Sequence, residues 1–326
     1  MGQLRLSSLL IFFALTLSCI GFSDAYKLHQ ADEPPAPVAI PWLTGPLLTP
    51  SGHVIPTGHL NVEPYLYAST TYGFFDKHWA PHSAPKFYTV QLQVPFQYGF
   101  ANKFDFQFTP NAYWKHTDGA SHWDFGDATF QIDYQLLNDT PGSWWPAIRL
   151  TAGVNIPFGK FQKLNASSKG TDIGGSGTWQ PAASIVFSRL FTFNGPRYLA
   201  TRFFFGYTPT VPVHVKGLNA YGGDEETRGK IYSGNTFTGL IGLEYTWTQR
   251  WALALDIDYS HSNKVRFTGR STAAMGGPSS DQWSIAPAIE YNWSAYVGMI
   301  AGCWFSLGGR NASEFANGII AINIYR

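Results

Sequence analysis

Residues 90–98 read Val-Gln-Leu-Gln-Val-Pro-Phe-Gln-Tyr, so apolar and polar side chains alternate along this segment. Neighbouring side chains of a β-strand point to opposite faces, and the segment therefore predicts a strand with one apolar and one polar face. The alternation recurs at residues 104–109, 130–136 and 251–260, with aromatic and aliphatic side chains opposite Asp and Gln. An apolar face that ends in Tyr or Trp, opposite a charged face, is typical of a barrel surrounded by lipid. The predicted fold class is all-β, a transmembrane antiparallel β-barrel.

The first 25 residues predict an export signal. Arg5 precedes an apolar run at residues 9–17, and the small residues Ser23 and Ala25 occupy the two positions that a signal peptidase reads. We therefore expect a signal peptide at residues 1–25, with the mature chain beginning at Tyr26. The alternative is an uncleaved anchor helix, which the shortness of the run disfavours because a membrane span takes about 20 residues.

The composition narrows the class of protein further. The chain has 326 residues and a formal net charge of +1, which gives no electrostatic case for a nucleic-acid partner. No apolar run of about 18 residues follows the signal, so no transmembrane helix is expected. Signal cleavage leaves Cys303 as the one cysteine, which excludes an intramolecular disulfide. An exported chain with lipid-facing strands is expected in the outer membrane of a Gram-negative bacterium.

Residues 59–326 are predicted to form the barrel, with about twelve strands bounded by turn residues. The predicted strand centres are Tyr67, Val94, Phe106, Ile132, Ala152, Ile185, Phe203, Ile241, Leu255, Ile289, Ile300 and Ile322. Five connections are short, at residues 99–103, 138–143, 192–197, 248–250 and 293–295. Six predicted long loops alternate with them, at residues 73–87, 114–123, 159–177, 217–234, 262–281 and 307–314. Bacterial barrels have short periplasmic turns and long outer loops, so both termini are expected on the periplasmic side.

Residues 26–58 precede the first predicted strand and are rich in proline, as in Glu33-Pro34-Pro35-Ala36-Pro37. Proline has no N–H to donate to a sheet ladder, so this segment is not expected to join the barrel wall. Two interpretations stay open. The segment is either an extended periplasmic lead-in or a plug that folds into the lumen.

Three short motifs carry a resemblance to a known family. Residues 126–137 begin with Gly-Asp-Ala-Thr and end with Tyr-Gln-Leu-Leu, residues 153–159 read Gly-Val-Asn-Ile-Pro-Phe-Gly, and residues 305–311 read Phe-Ser-Leu-Gly-Gly-Arg-Asn. In these motifs the chain resembles the outer-membrane β-barrel family labelled as phenol-degradation meta-pathway transporters. The resemblance spans residues 60–326 and implies a barrel with a transport function, and it supplies no catalytic residues. One departure is the C-terminus, where Arg326 follows the aromatic residue that the insertion machinery reads in such barrels.

The alternation places nine charged side chains on the predicted inner face. They are Asp105, Asp127, Asp133, Arg149, Arg202, Glu244, Asp256, Asp258 and Glu290. Seven acids against two arginines predict a lumen that disfavours anions and admits cations or neutral solutes. The alternative is a filled interior in which the arginines pair with carboxylates. About twelve strands is an intermediate size between filled and open barrels, so both interpretations stay open.

The sequence contains two candidate chemical sites. Residues 259–263 resemble the His–Ser arrangement of outer-membrane lipid hydrolases, but His261 and Ser262 are adjacent and face opposite ways in a regular strand. Four loop histidines lack a cysteine or a tight carboxylate pattern and are weak metal candidates. They are His78, His82, His116 and His122. No catalytic residue, metal or cofactor is therefore expected.

The sequence thus predicts an outer-membrane channel or facilitator for small solutes, and the family resemblance adds that these solutes are hydrophobic or aromatic. One alternative is a lipid hydrolase that uses His261. Another is a surface-exposed barrel that binds a partner through its loops and does not transport. The expected partners are the lipid bilayer, lipopolysaccharide, the barrel insertion machinery and the small solute.

Overall fold

The computed structural model describes residues 42–140, 144–193 and 197–326. The predicted signal peptide and residues 26–41 of the proline-rich segment lie outside the described residues, as do parts of the two turns at 138–143 and 192–197. No helix in the described ranges is long and apolar enough to cross a membrane.

The described chain is built from β-strands, with one 3₁₀ turn at Ala166–Ser168. The strands are β1 (Leu60–Val62), β2 (Tyr65–Phe75), β3 (Pro81–Gln93), β4 (Phe96–Ala101), β5 (Phe104–Thr109), β6 (Asn111–Thr117), β7 (Ala120–Phe125), β8 (Ala128–Leu137), β9 (Ala147–Ile156), β10 (Gln180–Thr192), β11 (Tyr198–Thr208), β12 (Val213–Lys216), β13 (Arg228–Tyr232), β14 (Thr236–Thr246), β15 (Trp251–Ser262), β16 (Arg266–Arg270), β17 (Ser280–Asn292), β18 (Val297–Arg310) and β19 (Ala312–Tyr325).

Sixteen of these strands form one sheet that closes into a barrel. The pairs β1–β2, β3–β4, β5–β6 and β7–β8 are halves of four long barrel strands, and eight further strands complete a ring of twelve. The ring closes where β19 pairs antiparallel with β2 and with β1. The prediction of a twelve-stranded antiparallel barrel is confirmed. Closure pairs the edge amides and carbonyls that an open sheet would leave exposed to hydrocarbon.

Four neighbouring barrel strands are interrupted, at Pro64, Pro95, Pro110 and Gly126. The interruptions are adjacent, because the N–H of Glu63 donates to the carbonyl of Pro95 at 3.1 Å and the N–H of Val94 donates to the carbonyl of Pro110 at 3.2 Å. Proline lacks the N–H that the ladder needs at three of these positions, and at the fourth the N–H of Gly126 donates to the carbonyl of Asn111 at 2.8 Å. The four long strands are therefore divided into two halves along a continuous line.

The distribution of side chains is the reverse of that in a soluble protein. Leu253 and Ile289 on the outer face are 52% and 43% exposed, whereas Asp256 and Glu290 on the inner face are fully buried. Small side chains such as Ala252 fill other inner positions. Exposed aliphatic side chains and buried carboxylates fit a barrel whose outer face contacts lipid.

Three of the predicted long loops are wrong, namely 73–87, 114–123 and 307–314. In the structure the strands continue through most of these residues and leave connections at residues 76–80, 118–119 and 311. The composition of these segments is polar, which indicated loops. Their backbone groups nevertheless pair across each hairpin, and Phe74 and Phe75 also pair with Ser313 and Ala312 of β19, which are distant in the sequence.

The other three predicted loops are long, and they associate with one another. Strand β12 pairs with β13, and β13 pairs with β16, so residues from two separate connections form a three-stranded sheet. The connection at 159–177 joins them, since the N–H of Leu164 donates to the carbonyl of Leu218 at 3.0 Å. We call the rim that carries this sheet the loop end, and the rim where β1 begins and β19 ends the terminal end.

Candidate functional site

The barrel interior contains part of the chain that precedes the barrel. Residues 42–58, which we call the N-terminal segment, run along the inner face of the wall. The N–H of Thr44 donates to Oε2 of Glu290, and the N–H of Gly45 donates to Oε1 of Glu244, both at 3.0 Å. Arg202 donates from Nη2 to the other carboxylate oxygen of Glu244, also at 3.0 Å. Two buried carboxylates thus accept hydrogen bonds from a segment about 200 or more positions earlier in the sequence.

Asp256 holds the middle of the N-terminal segment. Its two carboxylate oxygens accept hydrogen bonds from the N–H of Leu48 at 3.1 Å, from the N–H of Thr49 at 3.0 Å and from the hydroxyl of Thr49 at 2.5 Å. Asp258, two residues further along the same strand, makes a different contact and accepts from the hydroxyl of Ser284 at 2.8 Å. The two aspartates share a face, but among the described residues it is Asp256 that accepts hydrogen bonds from the segment.

A third group of contacts fixes the end of the segment near the terminal end. The N–H of Ile55 donates to Oδ2 of Asp105 at 2.6 Å, and the N–H of Val54 donates to Oε1 of Gln135 at 2.8 Å. Gln97 donates its side-chain amide to the same oxygen of Asp105 at 2.8 Å. Side-chain oxygens of the wall thus accept the backbone N–H groups of the segment, so this interior is a preorganised receptor for its backbone.

The remaining predicted inner residues contact the wall or the loops. Arg149 lies 3.8 Å from Asp133 through its Nε, and both side chains are buried. Asp127 accepts hydrogen bonds from the N–H of Gly159 at 3.0 Å and from the N–H of Ser176 at 2.8 Å. The carboxylate of Asp127 therefore holds the 159–177 connection against the inner wall.

The space left beside the N-terminal segment is a cavity of 820 Å³. It is bounded on one side by the segment and on the other mainly by β2, β3, β18 and β19. The barrel residues that line it are largely neutral. They include Tyr65, Tyr67, Gln91, Gln93, Trp304 and Asn317. Of the nine predicted inner residues, Arg149 and Arg202 line this cavity, and Asp127 lines a smaller one of 410 Å³ near the loop end.

This geometry changes the electrostatic expectation. The alternation predicts seven acids and two arginines in one lumen, but five of those carboxylates accept hydrogen bonds from backbone N–H groups of the N-terminal segment or of a loop. None of the seven acids is among the residues that line the 820 Å³ cavity, whose one acidic lining residue is Glu63. A contact between any of the nine side chains and a solute stays a prediction.

Sequence reasoning missed the neutral lining. Gln91 donates its amide to Oδ1 of Asn111 at 2.9 Å and to Oε1 of Gln93 at 3.2 Å, which orders this part of the wall. Oδ1 of Asn317 is buried and has no hydrogen-bond partner among the described residues. The signal was present, because Gln91 and Gln93 are polar positions of the alternating segment at 90–98. The predicted inner residues were all charged, so these neutral positions were not among them.

His261 does not face a nucleophile. Its Nδ1 is 2.7 Å from Oδ1 of Asp281 and its Nε2 is 3.2 Å from Oδ1 of Asn263, whereas Ser262 shares a hydrogen bond with the hydroxyl of Thr236. A hydrolase needs the serine hydroxyl within hydrogen-bond distance of the base. Within the described ranges, no three His, Cys, Asp or Glu side chains are grouped as a metal site.

The fold and its interior define the class of protein: a membrane-spanning twelve-stranded β-barrel of the outer-membrane type, with a segment of its own chain bound inside. An outer-membrane channel of Pseudomonas putida F1 has a similar structure, with a TM-score of 0.66 and 12% sequence identity over 85% of this chain and 98% of that one. At this identity the similarity shows the fold.

Two further solved structures are more distant. The β domain of the Bordetella autotransporter BrkA has a TM-score of 0.46 and 10% identity over 82% of this chain and 99% of that one. A deletion mutant of the monoaromatic hydrocarbon channel TodX has a TM-score of 0.40 and 12% identity over 83% of this chain and 91% of that one. No protein-family model and no curated protein sequence matches the chain.

Proposed function

We propose that the protein is a passive outer-membrane channel for small uncharged solutes, including aromatic ones. The observation that carries this proposal is the 820 Å³ cavity beside the N-terminal segment, inside a closed barrel and lined largely by amide, hydroxyl and aromatic side chains. Ligand sites for small molecules have volumes of about 300–1,000 Å³ and combine aromatic walls with a few polar groups. The size of the cavity and its chemistry both fit a small solute.

Aromatic solutes are supported by the cavity wall and by the sequence resemblance to the phenol-degradation transporters. Tyr65 and Tyr67 line the cavity and their rings are stacked, with centroids 5.8 Å apart. Planar solutes pack favourably against such faces. Oδ1 of Asn317 is a buried acceptor on the same wall, and it suits a solute that donates an O–H or N–H group.

Conductance in planar bilayers tests the channel. The purified protein is expected to conduct small ions in single steps, and added phenol is expected to lower the current by occupying the cavity. Gln91→Trp narrows the cavity and is expected to lower the conductance. Leu92→Trp is the matched control, because Leu92 is the next residue on the same strand and is 44% exposed on the outer face. Absence of conductance, or equal effects of the two substitutions, would contradict the proposal.

The proposed location is the outer membrane of a Gram-negative bacterium, with both termini periplasmic. The three longest connections, at residues 157–179, 209–235 and 263–279, lie at the loop end, whereas all connections at the terminal end are shorter. At the terminal end Trp251 packs against Trp247 at 6.2 Å and against Tyr291 at 4.7 Å between ring centroids. Such aromatic groups are enriched at the membrane interface, and short turns face the periplasm in bacterial barrels. An epitope inserted after Ser271 is expected to be detected on intact cells, and one inserted after Arg250 only after permeabilisation.

Residues 1–25 are proposed to be removed during export and residues 42–58 to act as a plug. N-terminal sequencing of the mature protein is expected to begin at Tyr26. Deletion of residues 42–58 is expected to raise the conductance, because the segment occupies space between the carboxylates of the wall and the cavity. An unchanged conductance in a folded deletion variant would contradict the plug.

A further inference from the structure

One face of the three-stranded loop sheet is basic. The sheet consists of β12, β13 and β16, and side chains alternate between its faces along each strand. The antiparallel register places six basic residues on the same face. They are His214, Lys216, Arg228, Lys230, Arg266 and Arg270. The opposite face carries Val215 and Ile231, which are buried within the associated loops. The basic face therefore points away from the packed side of the sheet.

Three of the cations lie in one row across the sheet. Lys216 pairs with Arg228, and Arg228 pairs with Arg270, so like charges are directly opposite on neighbouring strands. This arrangement destabilises a sheet unless an anion lies between the charges. Among the described residues, Glu226 is the one carboxylate that forms an ion pair with the row, at 3.1 Å from Arg270, and both side chains are largely exposed. The row has two more positive charges than negative ones.

The chemistry of the face fits phosphate groups on a saccharide. Arg228, Arg266 and Arg270 present planar guanidinium groups, which bind phosphate through two parallel hydrogen bonds. Neighbouring strands are about 4.8 Å apart and residues two positions apart along a strand are about 6.8 Å apart. Several phosphates carried on one molecule can therefore contact several cations of the face together, and their combined contacts increase the affinity.

We propose that the basic face of the loop sheet binds the phosphate groups of lipopolysaccharide. The proposal rests on the orientation given above, in which the loop end is on the outer side of the membrane, where lipopolysaccharide forms the outer leaflet. Binding would place negative charge between Lys216, Arg228 and Arg270 and remove their mutual repulsion. The loop sheet would then be held at the level of the phosphorylated sugars around the barrel.

Binding of purified protein to immobilised lipopolysaccharide tests the proposal, with full-length mature protein in a zwitterionic detergent. The variant Arg228→Gln, Lys230→Gln, Arg266→Gln, Arg270→Gln is expected to lose about tenfold or more in affinity, since each basic residue contributes appreciably at an anionic surface. Wild-type affinity is expected to fall to the same level on lipopolysaccharide that has been chemically dephosphorylated. Higher salt is expected to weaken the wild-type interaction and to have little effect on the variant.

The matched control removes four cations from the terminal end. The variant Lys103→Gln, Arg197→Gln, Arg250→Gln, Arg326→Gln has the same net charge as the test variant and is expected to bind like the wild type. Heat-dependent migration on gels verifies that each barrel is folded. If the fourfold variant does not fold, the single substitution Thr268→Glu replaces it, because it adds a negative charge to the basic face. Equal binding of the test variant and the wild type, or equal losses in the test and control variants, would overturn the proposal. The conductance of the protein is measured in a separate experiment. A failure of the lipopolysaccharide proposal is therefore distinguishable from a failure of the channel proposal.

Discussion

The substitution Asp256→Asn is expected to weaken the attachment of the N-terminal segment to the barrel wall. Asp256 is fully buried and accepts three hydrogen bonds, from the N–H of Leu48 and from the N–H and hydroxyl of Thr49. The asparagine side chain has one acceptor oxygen, and its NH₂ group is a donor. When the oxygen faces Thr49, the NH₂ group faces the N–H of Leu48, and two donors are opposed.

The size of the effect follows from this loss. A hydrogen bond to a charged group contributes about 1.5–3 kcal/mol. The loss of one such bond shifts the ratio of detached to attached segment by roughly 10- to 150-fold, because each 1.36 kcal/mol is a factor of ten. The shift is large enough to change the fraction of time for which the interior is open.

Single-channel recording measures that fraction directly. Asp256→Asn is expected to show more frequent or longer high-conductance states than the wild type. Asp258→Asn is the matched control, since it makes the same change on the same face of the same strand at a residue that accepts from Ser284. Identical gating of the two variants would refute the conclusion that Asp256 retains the segment.

Three further predictions concern stability. Leu255 lies midway between Trp251 and Tyr259 on the outer face. Leu255→Arg is therefore expected to lower the free energy of unfolding by about 2–4 kcal/mol, measured by urea unfolding from liposomes. A change near zero would contradict lipid contact at this position. Arg202→Gln removes the ion-pair partner of Glu244, whose side chain is 1% exposed. It is expected to lower the free energy of unfolding by about 3–5 kcal/mol in the same assay, and Arg202→Lys is expected to lower it less. In the loop at residues 76–80, hydrogen bonds from His82 and from backbone N–H groups lower the pKa of Asp76 to about 2 from 3.8. The ionised carboxylate therefore stabilises this hairpin above pH 3.8 and loses the effect as the pH falls towards 2. Pepsin cleavage near Phe75 should rise over this interval in the wild type, and Asp76→Asn should show no such rise.

The pattern of the sequence predicted the barrel wall in detail. Leu253 and Asp256 are three positions apart in one strand and therefore lie on opposite faces of the sheet. Because side chains alternate with a period of two, lipid contact at Leu253 places Asp256 on the inner face. The same reasoning counted the strands, and the barrel of twelve strands is confirmed. It was wrong at residues 73–87, where polar composition indicated a loop. Backbone pairing between β2 and β3 extends the sheet there.

The interior was beyond local reasoning. The bond between the N–H of Thr44 and Glu290 joins residues 246 positions apart, and no periodicity within a strand relates them. The sequence left residues 26–58 as either a lead-in or a plug for that reason. It also treated Asp256 and Asp258 alike, because both are aspartates on one face of one strand.

The sequence by itself determined which side chains of each strand meet lipid, because alternation is a local property of the extended chain and requires no knowledge of its partners. The tertiary structure alone decided what the inner carboxylates do. Closure of the ring brings Glu244, Asp256 and Glu290 around the N-terminal segment, whose backbone N–H groups need acceptors once they leave water. The cavity beside the segment is the space that remains, and most of its lining is neutral, with Glu63, Arg149 and Arg202 as the charged barrel residues.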